Sequence, residues 1–203
     1  MTQNNDWQEE LGQSLFGSDF IYSHFPERIS DRRGLLGYTP EITPSLVFSA
    51  YLQGVFPWYN EDEGDPVLWW NPDPRFVLPI DELHVPQSIE RFIKHTPYTY
   101  TIDADFPEVI EQCSARKRPG QRGTWIGPQI IDVYSNLAER GIAHSVEAWH
   151  NGKLAGGLYG ILIGKVFCGE SMFTIEDNSS KSAFVLFAKA FSLCGGQLID
   201  SQV

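Results

Sequence analysis

The sequence predicts an α+β fold, and three observations predict it. The stretch from Ala143 to Cys168 alternates as an antiparallel meander, with turns at Asn151-Gly152 and Gly164-Lys165. A helical pattern over 180–193 and a last strand over 197–203 follow, and a meander, a helix and a returning strand make an α+β domain. The Pro-rich run Asn71-Pro72-Asp73-Pro74 is a turn or linker that separates this region from a smaller N-terminal one.

Residues 1–30 show little periodicity and read as a loosely attached, flexible arm. From Ile42 to Val55 the pattern is helical. Pro44 occupies a tolerated first-turn position after Thr43, Leu46, Val47, Ala50 and Leu52 recur at helical spacing, and Gly54 is a plausible stop. An acidic loop, Glu61-Asp62-Glu63 with Asp65, leads into the strand-like Pro66–Trp70. The boundary at 71–74 gives a small N-terminal α+β domain over 1–74 and a second domain over 75–203.

The second domain opens with a strand, Phe76–Leu78, a helix from Gln87 to Lys94, a strand from Tyr98 to Ile102 and a helix around Phe106–Cys113. The loop Ser114–Gly123 is basic. A helix from Pro128 to Arg140 then carries Ile130, Ile131, Val133, Tyr134 and Leu137 on its buried side.

Composition excludes several classes. No apolar run approaches the roughly 18–20 residues of a membrane span, and the polar, acidic start lacks the pattern of a secretory signal. Cys113, Cys168 and Cys194 are odd in number and scattered, so no disulfide framework is expected and the chain reads as cytoplasmic. Five histidines (His24, His84, His95, His144, His150) and these cysteines show no metal-ligand spacing, and no metal is expected. The net charge of −11 argues against a general nucleic-acid binder. The distribution qualifies this. Up to Ala115 there are 19 acids against 6 Lys/Arg; from Arg116 onward, 7 against 9. A phosphate-bearing ligand therefore fits only the second half, where Arg116, Lys117, Arg118 and Arg122 cluster. Six tryptophans suggest flat-ring recognition, against the plainer reading of extra core aromatics.

Ordered segments carry a resemblance. They are Tyr51–Trp58 (YLQGVFPW), Leu68–Arg75 (LWWNPDPR), Gly123–Ile126 (GTWI) and His144–Glu147 (HSVE). Gly156–Gly160 (GGLYG), Phe167–Phe173 (FCGESMF) and Leu198–Val203 (LIDSQV) complete the set. Over roughly residues 34–203 the chain resembles the leucyl/phenylalanyl-tRNA–protein transferase family. The resemblance implies a small N-terminal domain packed on a GNAT-like acyltransferase domain. The implied donor is aminoacyl-tRNA charged with Leu, Phe or, less efficiently, Met. The implied acceptor is a protein with N-terminal Arg or Lys, thereby marked for N-end-rule degradation. No cofactor is implied. An activated ester and an α-amine of pKa near 8 need neither a covalent nucleophile nor a metal, and positioning supplies most of the acceleration.

By the same resemblance, Trp58 and Trp125 flank the tRNA's terminal adenosine, with Tyr51 as a polar contact nearby. On the residues alone, packing of a domain junction is the favoured reading for each indole, and the resemblance reverses that order. Leu158, Phe167, Cys168, Met172, Phe184, Phe187 and Ile199 are implied to form the pocket for the apolar aminoacyl side chain; periodicity alone reads them as core. Cys168 lies in an apolar strand pattern that favours an inert thiol over a nucleophile. Asp200 and Gln202, two apart in a strand, share a face; the family's Asp orients or deprotonates the attacking amine, aided by the Gln, and Glu170 holds the aminoacyl group. His144 has no triad around it and reads as a structural hydrogen-bonding residue. Arg91 and Lys94 share a helix face and, with Arg116, Lys117, Arg118 and Arg122, are the candidates for the tRNA backbone.

Two departures stand out. Ser201 replaces the family's usual Cys, and family members commonly continue past the position of Val203 through another helix and strand, so the expectation for the second domain is either a short form or a truncated one. The rival readings are an acyl-CoA N-acetyltransferase, which needs a pyrophosphate loop of the type Gln/Arg-x-x-Gly-x-Gly/Ala that this sequence lacks, and a non-catalytic aminoacyl-tRNA-binding relative.

Overall fold

A computed structural model describes residues 6–27, 34–116 and 124–202. Its elements begin with α1 (Asp6–Phe16), β1 (Leu35–Thr39), α2 (Pro44–Tyr51), β2 (Phe56–Pro57), β3 (Val67–Trp70), β4 (Phe76–Pro79), α3 (Gln87–Lys94) and β5 (Thr99–Ile102). There follow α4 (Phe106–Ala115), α5 (Pro128–Glu139), β6 (Ala143–His150), β7 (Lys153–Ile163), β8 (Val166–Thr174), α6 (Ser179–Leu193) and β9 (Leu198–Gln202). The fold is mixed α+β. Among the described residues, no helix is long and apolar enough to cross a membrane.

The elements form two compact units, one of Met1–Pro74 with Trp125–Arg140, the other of Arg75–Thr124 with Gly141–Val203. In the first, an antiparallel sheet runs in the order β1-β3-β2. Thr43 caps α2 by accepting the Leu46 N–H at 3.2 Å, with Pro44 in the first turn. The arm expected over residues 1–30 contains α1. Its Phe16 ring lies 5.5 Å from Phe48 of α2 and 5.4 Å from Phe20, and the Arg140 guanidinium sits 4.7 Å over Phe16. Tertiary contact, rather than periodicity, makes this helix. Helix α5, assigned on sequence to the second domain, packs here instead. The buried Tyr51 and Tyr134 hydroxyls hydrogen-bond at 2.7 Å, and Glu61 Oε2 accepts the Gln129 N–H at 3.1 Å.

The second unit holds a six-stranded sheet in the order β4-β9-β8-β7-β6-β5, antiparallel except for β8 and β9. The meander extends to Thr174, beyond the expected Cys168, and α6 makes the crossover that lets β9 return parallel to β8. Leu158 and Tyr159, adjacent on β7, point to opposite faces. Leu158 joins Val146, Phe167 and Ile199 in one core with Ala183, Phe187 and Phe191 of α6. Tyr159 meets Phe106 of α4 edge-on at 5.7 Å. A helix covers each face.

At Gly160 a Cβ would press on the Cys168 carbonyl oxygen and the Phe167 ring, so β7 and β8 pair here only because the side chain is absent. Gly160→Ala is expected to cost about 1–3 kcal/mol in urea unfolding; a midpoint equal to wild type would show that the strands accommodate the methyl group.

Candidate functional site

Strands β8 and β9 pair in parallel through Val166↔Leu198, Phe167↔Ile199 and Cys168↔Asp200, where the pairing ends among the described residues. On its other side β8 slips against β7. Tyr159 faces Ser171 and Gly160 faces Gly169, which leaves Glu170 as the extra residue of a bulge. Bulges re-aim a side chain, and here the Glu170 carboxylate accepts a hydrogen bond from Gln202 Nε2 at 2.7 Å, across the open end of the strand pair. Gln202 has a left-handed backbone, φ 69°, which costs a non-glycine residue of order 1–3 kcal/mol unless its surroundings enforce it. Asp200 helps enforce it by accepting the Gln202 N–H at 2.8 Å.

Asp200 is itself held by a residue to which sequence reasoning assigned no role. Arg75 Nε lies 2.9 and 3.0 Å from the two carboxylate oxygens, and Arg75 Nη2 donates to Oδ2 at 2.7 Å. The side chains are only 18% and 10% exposed, so water weakens this fork less than it would at the surface. Arg75 closes the segment Leu68–Arg75, and that was the available signal. The Cys168 sulfur approaches Asp200 Oδ2 at 3.9 Å. Burial first, then the carboxylates of Glu170 and Asp200, push the Cys168 thiol well above its ordinary range. It is a neutral packing thiol.

Beside the bulge lies a cavity of about 200 Å³ lined by Leu158, Phe167, Met172, Phe184 and Ile199, together with Glu170. Five of the seven residues expected around an apolar pocket are thus brought together. Cys168 and Phe187 are not among the lining residues. Cys168 is buried beside Asp200, and the Phe187 ring packs against Phe167 at a tilt of 57°, with ring centres 4.5 Å apart.

The candidate ring contacts lie in the first unit. Trp58 is 41% exposed, with its ring 5.8 Å from Trp70, whose indole N–H donates to the Trp58 carbonyl at 2.8 Å. Trp125 is half-buried. Tyr51 is buried, with its hydroxyl hydrogen-bonded to that of Tyr134 at 2.7 Å. Among the cations, Arg91 and Lys94 stand exposed on the last turn of α3, and Arg116 is exposed at the end of α4, where it donates to Gln112 at 3.4 Å. Lys117, Arg118 and Arg122 lie outside the described residues. His144 Nδ1 hydrogen-bonds Asp103 at 2.7 Å, as expected of a structural histidine.

The family model described as leucyl/phenylalanyl-tRNA protein transferase matches residues 77–203, and that for the family's N-terminal domain matches residues 40–73. The chain is 48% identical over 178 residues to the leucyl/phenylalanyl-tRNA–protein transferase of Myxococcus xanthus (strain DK1622), covering 88% of this chain and 75% of that protein. To the enzyme of the same name from Yersinia pestis (strain Pestoides F) it is 43% identical over 189 residues, 93% and 78% of the two chains. Among solved structures, L-PGS from Bacillus licheniformis overlaps 62% of this chain and 45% of its own at TM-score 0.43 and 11% identity, too low to carry a fold assignment. The chain belongs to the leucyl/phenylalanyl-tRNA–protein transferase family and is a transferase.

Of the three thiols, Cys194 is exposed and Cys113 and Cys168 are buried. Labelling of the native protein with a disulfide reagent at pH 8 is expected to consume one thiol rapidly and the others only after unfolding. Fast labelling of Cys168 would contradict its neutral, buried state.

Proposed function

We propose that this transferase moves leucine or phenylalanine, and methionine less efficiently, from aminoacyl-tRNA to the α-amine of proteins that begin with Arg or Lys, marking them for N-end-rule degradation in the cytoplasm. The observation that carries the reading is the cavity of about 200 Å³, lined by five of the expected apolar side chains and by Glu170, whose carboxylate accepts from Gln202. An aminoacyl group has this character, an apolar side chain beside a cationic amine. A pocket of this kind separates apolar guests by only about 1–3 kcal/mol per methylene, in line with a relaxed preference among the three donors.

In this reading the neutral amine nitrogen attacks the ester carbonyl carbon. The C–O bond to the tRNA's ribose breaks, and the amine's proton ends on the departing hydroxyl. Glu170 receives the α-ammonium of the aminoacyl group. Gln202, set by Asp200, orients the attacking amine. Asp200 acts as an orienting group, because its oxygens already accept from Arg75 and Gln202. The reaction draws on position and local charge, with no cofactor. Trp58 and Trp125 offer stacking surfaces for the terminal adenosine, and Arg91, Lys94, Arg116, Lys117, Arg118 and Arg122 supply phosphate contacts. The second unit then acts as a GNAT-like acyltransferase domain that takes a tRNA ester.

Incubation with Phe-tRNA and an Arg-starting peptide is expected to yield a Phe-Arg N-terminus by mass spectrometry. Retained tRNA binding without that product would identify a non-catalytic relative. Trp58→Ala is expected to weaken Phe-tRNA binding by the about 1–3 kcal/mol of one stacked base, with the melting temperature little changed because the ring is half-exposed; matching losses in both would make Trp58 a packing residue. Replacing Arg91 and Lys94 by Gln is expected to lower the slope of log Kd against log salt by about 1 per lost phosphate contact. An unchanged slope would remove them from the tRNA surface.

A further inference from the structure

Arg75 takes no direct part in the reaction proposed above, yet three short contacts join its guanidinium to Asp200. A carboxylate has about four acceptor positions. Besides the Arg75 fork, Asp200 takes the Gln202 N–H at 2.8 Å, and the Cys168 sulfur stands 3.9 Å away. Asp200 therefore joins two partners with fixed directions. On one side is a planar cation. On the other is the backbone of Gln202, turned to φ 69°, whose side chain reaches Glu170 at 2.7 Å. Arg75 precedes β4, which pairs with β9 through Val77↔Asp200 and Phe76↔Gln202, with a register shift between those two positions. The ladder alone does not set Gln202, since the irregularity falls there.

We infer that Arg75 is a positioning residue for aminoacyl transfer, acting through Asp200 on the backbone of Gln202 and from there on Glu170 at the cavity wall. The inference rests on the transfer reading above. Its chemical basis is the fork. A guanidinium engages both carboxylate oxygens and fixes the plane of Asp200, whereas a lysine ammonium neutralises the charge without fixing that plane. Position and charge are thereby separable by substitution.

The test is Arg75→Lys in the full chain, read in three ways. Transfer from Phe-tRNA to an Arg-starting peptide is expected to lose about 10-fold or more in kcat, with KM for Phe-tRNA within about 2-fold, the pattern of a contribution made after binding. Arg75→Lys combined with Asp200→Asn is expected to lose much less than the sum of the two single losses, since the inferred effect of Arg75 on transfer runs through that carboxylate. The Gln202 side-chain amide, assigned in the NMR spectrum by its loss in Gln202→Glu, is expected to shift and to lose protection from exchange in Arg75→Lys.

A purely structural Arg75 would lower the melting temperature and leave kcat of the folded protein and the Gln202 amide as in wild type; that result overturns the inference, as do additive losses in the double variant. If Arg75→Lys does not fold, Asp200→Asn weakens the same fork with little change of shape, and an unmoved Gln202 amide there is equally decisive. Absence of transfer by the wild-type protein would sink the reaction reading alone, because the amide comparison still reports whether Arg75 sets Gln202.

Discussion

A carboxylate buried to the extent of Asp200 must have its charge answered within the protein. The answer is Arg75, and the local geometry depends on it. Both Asp200 oxygens accept the guanidinium, and one of them, Oδ1, also accepts the Gln202 N–H and so helps hold that residue in its left-handed turn. That turn carries the amide side chain to Glu170, and Glu170 is in place because β8 bulges against β7. A strand end, a bulge and an ion pair thus converge where the β8–β9 ladder stops, and the apolar cavity opens beside them. None of the three would aim a polar group at that cavity alone.

Glycine and sulfur make room for the arrangement. Gly160 allows β7 to lie against the Cys168 carbonyl. Cys168 fills the space beside Asp200 with a thiol kept neutral by burial and neighbouring negative charge. A serine there would bring a stronger donor, and an aspartate a further charge; sulfur adds bulk with little polarity.

Much of this was legible in the sequence, for identifiable reasons. Helix α2 announced itself through the Thr43-Pro44 start, and β6 and β7 through alternation and the Asn151-Gly152 turn, because local rules alone decide those elements. Helix α1 escaped because its apolar face is thin and its helicity depends on Phe16 meeting Phe48, a contact that no window of the sequence contains. Strands β1 and β2 were missed where Gly37 and Pro57 interrupt the pattern. Leu158, Phe167, Met172, Phe184 and Ile199 could be grouped by family likeness, yet neither the bulge that re-aims Glu170 nor the pairing of Arg75 with Asp200, 125 residues apart, follows from periodicity. Tyr51 offered a polar ring near the expected ligand, and only tertiary structure reveals that its hydroxyl meets that of Tyr134, 83 residues away.

That Tyr51–Tyr134 bond joins α2 to a helix encoded far downstream, so the first unit is discontinuous in the chain. On the ribosome, its sheet emerges well before α5, and its buried tyrosine must wait while β4, β5 and α4 are made. The second unit waits in turn for its meander. Neither half is whole until late in translation, so the nascent polypeptide carries uncovered apolar surface for most of its synthesis, the condition under which holding chaperones matter most.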